Sequence, residues 1–326
     1  MEDLRSIIRI PRIWDSLVSV EERLLEAATA DDAYLTKIAQ HLLLAGGKRF
    51  RPLLALLAAE FGPSEDQRRV EAVELIHVGS LYHDDVIDES DTRRGATSVN
   101  ANWSNTVAIL AGDFLMARAS EVAATHLSQE SVRLLAETYA ELVEGQTREL
   151  QLEGDFTHGQ DEYEKVIGGK TASLVRTSAR LGAMAADAEE DVVAALSTWA
   201  WEVGMVFQIA DDALDLVADE ETIGKPAGSD IREGTYTMPV LAAAAGPDGA
   251  RVRELLAPGI PFADETVNEV IDLVRDGGHI DDSLEMAKSR LATAEAALER
   301  LPQGTARDIL KDLGSFLLAR VERART

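Results

Sequence analysis

The run "VVAALSTWAWEVGMVFQIADDALD", residues 192–215, decides the fold. As far as Ala210 it is almost wholly apolar and long enough to be weighed as a membrane span. Glu202 and Gln208 interrupt it, and it runs straight into Asp211 and Asp212. A helix buried in a protein core accounts for that pattern better than a bilayer does, and the spacing predicts one over 189–217. Outward from this run the same helical period recurs over 51–60, 66–88, 103–124, 128–152 and 160–184, with no sustained strand alternation. Ser64 and Gln67 are spaced as a capping box before the second of these. "GPDG" at 246–249 and "LPQG" at 301–304 mark turns between later helices. No linker or low-complexity tract divides the chain, so the reading is one all-α domain of ten or more helices over residues 1–326.

Composition narrows the function. The hydrophobic share is 46% and the aromatic share 5% in 326 residues, which suits a helical core rather than a sheet. Thirty-two basic against 58 acidic residues give a net charge of −26. A broad basic surface for nucleic acid is thereby excluded, and any anionic substrate needs a local basic pocket. Cysteine is absent, which removes disulfides and thiolate chemistry. "MEDLRSIIRIPRIW" lacks the apolar core of a signal peptide, so a cytoplasmic protein is expected.

The acidic residues are patterned. "HDDVIDES" (83–90) closes the apolar run "VELIHVGSLY" and places Asp84 and Asp88 one helical turn apart, with Asp85 about 100° around. "QIADDALD" repeats the arrangement with Asp211, Asp212 and Asp215. Like charges at this spacing repel by a few tenths of a kcal/mol, and a helix C-terminus disfavours them further. One such cluster could be a solvated helix end; two, each closing a buried-looking helix, point to a cation. Oxygen-only donors suit Mg²⁺, which completes its shell with water and substrate phosphates. A diphosphate would also need cations. "AGGKRFRP" supplies Lys48, Arg49 and Arg51, "DTRRG" supplies Arg93 and Arg94, and Lys170 and Lys225 follow later.

"GGKRFRP", "HDDVIDESDTRRG", "GDFLMARA", "GKTASL", "FQIADDALD" and "GKPAGSDIREG…TMP" stand in the order found in the trans-polyprenyl diphosphate synthases, which the chain resembles over residues 35 to 320. The resemblance implies a helical bundle around a central cavity, a homodimer, and two acidic motifs facing each other across its mouth. It implies that Asp84, Asp85, Asp88, Asp211, Asp212 and Asp215 hold two or three Mg²⁺ ions on an allylic prenyl diphosphate, which Arg93, Lys170 and Lys225 contact. Gly47, Lys48, Arg51, His77 and Arg94 would bind isopentenyl diphosphate, and Thr171 and Gln208 would line the reacting centre.

Two points qualify the match. Thr235 stands in "EGTYTMP" where the family often has Lys, which leaves room for a non-catalytic subunit of a heteromeric synthase. Gly79 and Ser80 replace the bulky aromatic that closes the tunnel in short-chain members, so a product of about C30 to C50 is expected, with a geranylgeranyl or farnesyl product as the alternative. Ala119, Ser120, Ala123 and Ala124 offer a deeper floor. Close helix packing is the other reading of the two small residues. So apolar a product implies at most transient contact with a membrane on release.

Overall fold

The computed structural model describes residues 2–64, 70–217, 226–247 and 249–325. Its helices are α1 (Glu2–Ile7), α2 (Pro11–Ala27), α3 (Ala33–Ala39), α4 (His41–Leu44), α5 (Phe50–Ala58), α6 (Glu71–Ile87), α7 (Val99–Asn102), α8 (Asn105–His126) and α9 (Gln129–Leu152). They continue with α10 (Gln160–Ile167), α11 (Ser173–Ala185), α12 (Glu190–Val217), α13 (Ser229–Arg232), α14 (Met238–Ala245), α15 (Gly249–Leu256), α16 (Asp264–Asp276), α17 (His279–Leu298) and α18 (Thr305–Ala324). Among the described residues the only strands are Thr92–Arg93 (β1) and Ala96–Thr97 (β2), a two-stranded hairpin. The all-α expectation is met. Gln67 of the capping box and Lys225 lie outside the described residues.

Contacts divide the chain into two compact units. The first comprises Met1–Tyr139, Leu174–Ser197 and Arg300–Ile309; the second comprises Ala140–Ser173, Thr198–Glu299 and Leu310–Thr326.

In the first unit α6 and α8 pack along most of their length. Small residues make this possible. A Cβ on Gly79 would lie 3.1 Å from the Gly112 carbonyl oxygen, and one on Gly112 would lie 3.0 Å from that of Gly79. Helix α5 is buried from Pro52 to Ala58 and packs on α2 and α6. Helix α11 comes closest to α5 at Gly182, where a Cβ would sit 1.9 Å from the Ala55 carbonyl oxygen.

The second unit holds most of the apolar length of α12. Trp199, Val203, Val206 and Ile209 are fully buried there. Helix α12 is the one described helix long and apolar enough to cross a membrane, and 56% of its most apolar window is buried within the protein. The helix expected over 160–184 is present and unbroken, as α10 and α11 joined end to end. Between α10 and α11 the segment Gly168–Ala172 forms a π-helical turn. Such turns occur inside helices as a local change of hydrogen-bond register, which residue spacing alone does not mark.

Gly182→Ala is expected to lower stability by about 1–3 kcal/mol or more, because the obstacle is backbone and cannot rotate away. Gly159→Ala, where nothing lies within 4 Å, serves as the control, and urea midpoints of the two variants check the difference.

Candidate active site

The first unit gathers its cations at the start of α5. The chain turns there through Gly46 (φ +88°) and Gly47 (φ +146°), and Arg49 itself takes φ +49°. At Gly47 a Cβ would stand 3.0 Å from the Arg94 guanidinium carbon, so only glycine leaves room for that side chain. Arg94 reaches this place from the hairpin. Arg94 (φ +56°) and Gly95 (φ +75°) are the two central residues of a tight turn of the kind that needs positive φ at both. Arg94 Nη1 donates to the Gly46 carbonyl at 2.6 Å.

One carboxylate organises this group. Glu74 is buried on α6; Arg49 Nη1 donates to its Oε1 at 3.1 Å, and Arg94 Nη2 lies 3.6 Å from the same oxygen. Arg49 also donates to the Leu43 carbonyl at 2.8 Å. Arg51 is lowered to about 10, chiefly by burial, with Glu74 pulling the other way and Arg94 adding to the fall. Among the described residues its Nε finds no hydrogen-bond partner. His77, one turn on from Glu74, is pushed well below its ordinary value by burial and by Arg51, Arg94, Arg49 and Arg93. Four guanidiniums share the field of one imidazole, and Arg49 and Arg94 share one buried carboxylate. The result is a local basic patch in a strongly acidic chain. Gly47 and Lys48 lie exposed beside it. Glu74 has no role in the sequence reading, because the arginines it meets come from outside its own helix. Its spacing of three from His77 was the available signal.

The first acidic segment ends α6. Asp84 is half-buried, Asp85 buried and Asp88 exposed as the residue after the last turn. Arg93 Nε donates to Asp85 Oδ1 at 2.7 Å, and its Nη2 lies 2.6 Å from the same oxygen. Burial nonetheless moves the Asp85 carboxyl upward against the pull of Arg93. Its Oδ2 is buried with no hydrogen-bond partner among the described residues. Asn100 holds the chain behind it, donating to the Asp85 and Ser90 carbonyls at 3.0 Å each. Gly79 lies in the α6–α8 contact, 3.0 Å from the Met116 methyl carbon as a Cβ would measure it, which is the packing reading of that residue. Ser80 donates its hydroxyl back to the His77 carbonyl at 2.9 Å.

The second acidic segment lies on α12 in the second unit. Asp211 is exposed, whereas Asp212 and Asp215 are each 3% exposed. Both oxygens of Asp212 are engaged. Tyr163 donates to Oδ2 at 2.6 Å, and Gln208 Nε2 to Oδ1 at 2.8 Å. Burial first, then Asp230, drive its carboxyl well above the ordinary range. Thr171 donates to Gln208 Oε1 at 2.7 Å. Asp215 accepts a long bond from the Asp230 amide at 3.4 Å. Lys170 precedes Thr171 in the π-helical turn and pairs with Glu149 of α9. Backbone contact holds this turn in place, since a Cβ on Gly169 would lie 2.8 Å from the Glu141 carbonyl oxygen. Thr235 is half-buried, its amide donating to the Asp230 carbonyl at 2.8 Å. The structure therefore brings Gly47, Arg51, His77 and Arg94 together, and separately Lys170, Thr171, Gln208 and Asp212. Tyr163 and Glu149 were missed, being distant in sequence from the groups they touch.

The donors fit a hard cation: carboxylate oxygens alone, one of them buried and unsatisfied at Asp85. Among the described residues no three acidic or imidazole groups converge on a ready-made cage. That suits an ion bound through one or two carboxylates and completed by water and phosphate.

The polyprenyl synthetase family model matches residues 32–274. The chain belongs to this family. It is 39% identical over 324 residues to the nonaprenyl diphosphate synthase of Mycobacterium tuberculosis, covering 98% of this chain and 96% of the relative. It is 39% identical over 307 residues to the heptaprenyl diphosphate synthase component 2 of Geobacillus stearothermophilus, covering 93% and 95%. Among solved structures it resembles the geranylgeranyl pyrophosphate synthase of Corynebacterium glutamicum complexed with calcium and isoprenyl diphosphate. That match has a TM-score of 0.85 and 41% identity over 95% of this chain and 96% of the other. The resemblance drawn from the motifs is borne out.

His77 gives a pH test. Its folded value lies below the ordinary 6.5, so the unfolded chain binds the proton more readily. The stability this neutral histidine contributes is complete above about pH 6.5 and is lost as pH falls toward the folded value. His77→Asn should lose less stability than the parent between about pH 7.5 and about pH 5.5, read as urea midpoints.

Proposed function

We propose that this prenyltransferase condenses isopentenyl diphosphate with an allylic prenyl diphosphate and repeats the step to a product of about C30 to C50. The observation that carries the reading is the arginine patch around Glu74 and His77, built in the same unit as the half-buried acidic end of α6. A chain of net charge −26 has no other evident use for such a patch than a bound polyanion.

Arg51, Arg94, His77 and Lys48, with the backbone at Gly47, take isopentenyl diphosphate. Neutral His77 offers a hydrogen bond without adding charge. Asp84, Asp88 and Asp211, the carboxylates that reach solvent, are the nearest candidates to hold Mg²⁺, with Asp85, Asp212 and Asp215 behind them. Two or three such ions would supply Lewis-acid neutralisation of the leaving diphosphate. Lys170 and Arg93 leave Glu149 and Asp85 to contact that diphosphate, and Lys225 belongs with them on resemblance alone. The allylic carbon–oxygen bond breaks, and the isopentenyl double bond attacks the carbon that carried it. A proton from the new adduct then passes to the departed diphosphate. Thr171 and Gln208 present fixed dipoles at the reacting centre.

Homodimer formation accompanies this reading. Helix α8 exposes Ile109 and Leu110, 43% and 60% open to solvent, an apolar pair a second copy would cover. The cytoplasm is the proposed location, with passing membrane contact when product leaves. A geranylgeranyl product is the second reading, favoured by the C. glutamicum likeness and by the packing role of Gly79.

Purified protein given Mg²⁺, labelled isopentenyl diphosphate and farnesyl diphosphate is expected to yield products of C30 or longer, sized after dephosphorylation. A stop at C20 overturns the long-chain reading. No turnover with any allylic primer overturns the catalytic one and turns attention to Thr235. Asp84→Ala and Asp211→Ala should each lower kcat roughly 100-fold or more while leaving urea midpoints nearly unchanged.

A further inference from the structure

We propose that Tyr163 is a positioning residue of the reaction, acting through Asp212 and Gln208 to fix the Lys170–Thr171 turn against the second acidic segment. This rests on the prenyltransferase reading and deepens it. Tyr163 belongs to no motif that carries the family likeness, and it lies 49 positions from the aspartate it touches.

Three short hydrogen bonds form one line. Tyr163 Oη donates to Asp212 Oδ2 at 2.6 Å; Gln208 Nε2 donates to Asp212 Oδ1 at 2.8 Å; Thr171 Oγ1 donates to Gln208 Oε1 at 2.7 Å. Gln208 accepts from Thr171 through its oxygen, so its nitrogen must face Asp212. Asp212 accepts at Oδ1 from Gln208 and at Oδ2 from Tyr163, whose hydroxyl is the donor at the far end. Tyr163 is 4% exposed, so little solvent competes for its hydroxyl.

The line joins three elements: α10 at Tyr163, α12 at Asp212 and Gln208, and the π-helical turn at Thr171. Helix α10 is itself braced. Arg290 of α17 lies 2.7 Å from Glu164, the neighbour of Tyr163, and 2.9 Å from Glu202 of α12. Lys170 is adjacent to one end of the line and Asp211 to its middle. Asp212 thus works as the hub of a buried network more than as an open ligand. What it fixes is the spacing between the exposed Asp211 carboxylate and the Lys170 ammonium. A network with every member satisfied is rigid, and loss of one donor frees the rest.

Tyr163→Phe removes the hydroxyl and keeps the ring. The holoenzyme should lose roughly ten- to a hundredfold in kcat and need several-fold more Mg²⁺ for half its maximal rate. The KM for isopentenyl diphosphate should stay within about twofold, because the patch around Glu74 is built without Tyr163. Unchanged kcat and Mg²⁺ dependence overturn the proposal. A second readout uses the metal-free protein. Tyr163→Phe and Thr171→Val, at opposite ends of the line, should be non-additive in urea unfolding; additive effects overturn the relay. If Tyr163→Phe does not fold, site-specific 3-fluorotyrosine at position 163 retunes the hydroxyl with little change of shape. Altered Mg²⁺ dependence then supports the proposal, and an unaltered profile overturns it. Parent protein that turns over no substrate defeats the prenyltransferase reading instead and leaves the metal-free cycle to judge Tyr163.

Discussion

Everything in the first unit's basic patch depends on the buried contact of Glu74 with Arg49 and Arg94. Guanidiniums brought together without a counter-charge repel one another and lose their hydration. Glu74, placed on the rigid helix α6, offsets that cost for two of them, with Glu21 of α2 a second partner of Arg49 at 3.4 Å, and the group keeps net positive charge. Removing Glu74 would leave Arg49 with Glu21 and Arg94 with the Gly46 carbonyl, and would take away the one group the two arginines share. The glycine turn before α5 and the tight hairpin after α6 both serve this contact, since each delivers one arginine to it. The patch is thus assembled in the folded chain before any anion arrives, which lowers the ordering a substrate must impose.

The two acidic segments look alike in sequence and differ in structure. At the end of α6 the carboxylates grade from buried Asp85 to exposed Asp88, and Arg93 neutralises the buried one. On α12 only Asp211 is exposed, and its neighbours are taken up by Tyr163, Gln208 and the Asp230 amide. The same spacing therefore serves two kinds of site. The difference arises from what packs beside each helix: a hairpin bearing arginines in one case, a buried tyrosine and an amide in the other.

Much of this was legible in the sequence, because helix period and motif spacing are local. The limits of α12 and α9, the acidic segments and the cations near them followed from residues a few positions apart. What escaped notice involved partners far along the chain. Gly79 carries both a tunnel and a packing reading in the sequence, and only the folded chain names Gly112 of α8 as the packing partner. Tyr163 is an unremarkable member of an amphipathic turn until Asp212 accepts its proton donor. The π-helical turn at 168–172 leaves the helical run unbroken, so nothing in the residue period marks it. Lys170 looked available for phosphate, and only the folded chain shows Glu149 holding it.

The hairpin between α6 and α7 has a mechanical corollary. Arg93 and Arg94 are consecutive residues, yet one is tied to Asp85 and the other to Gly46 and Glu74. A two-residue turn leaves no slack between them. One ion pair holds the hairpin to the end of α6 and the other to its beginning, so the hairpin is anchored from both sides. The two ends of the first unit's polar face are in this way joined by a lever one peptide bond long. A ligand that moved the hairpin backbone would be felt at both anchors, and linkage would make that influence equal in the two directions.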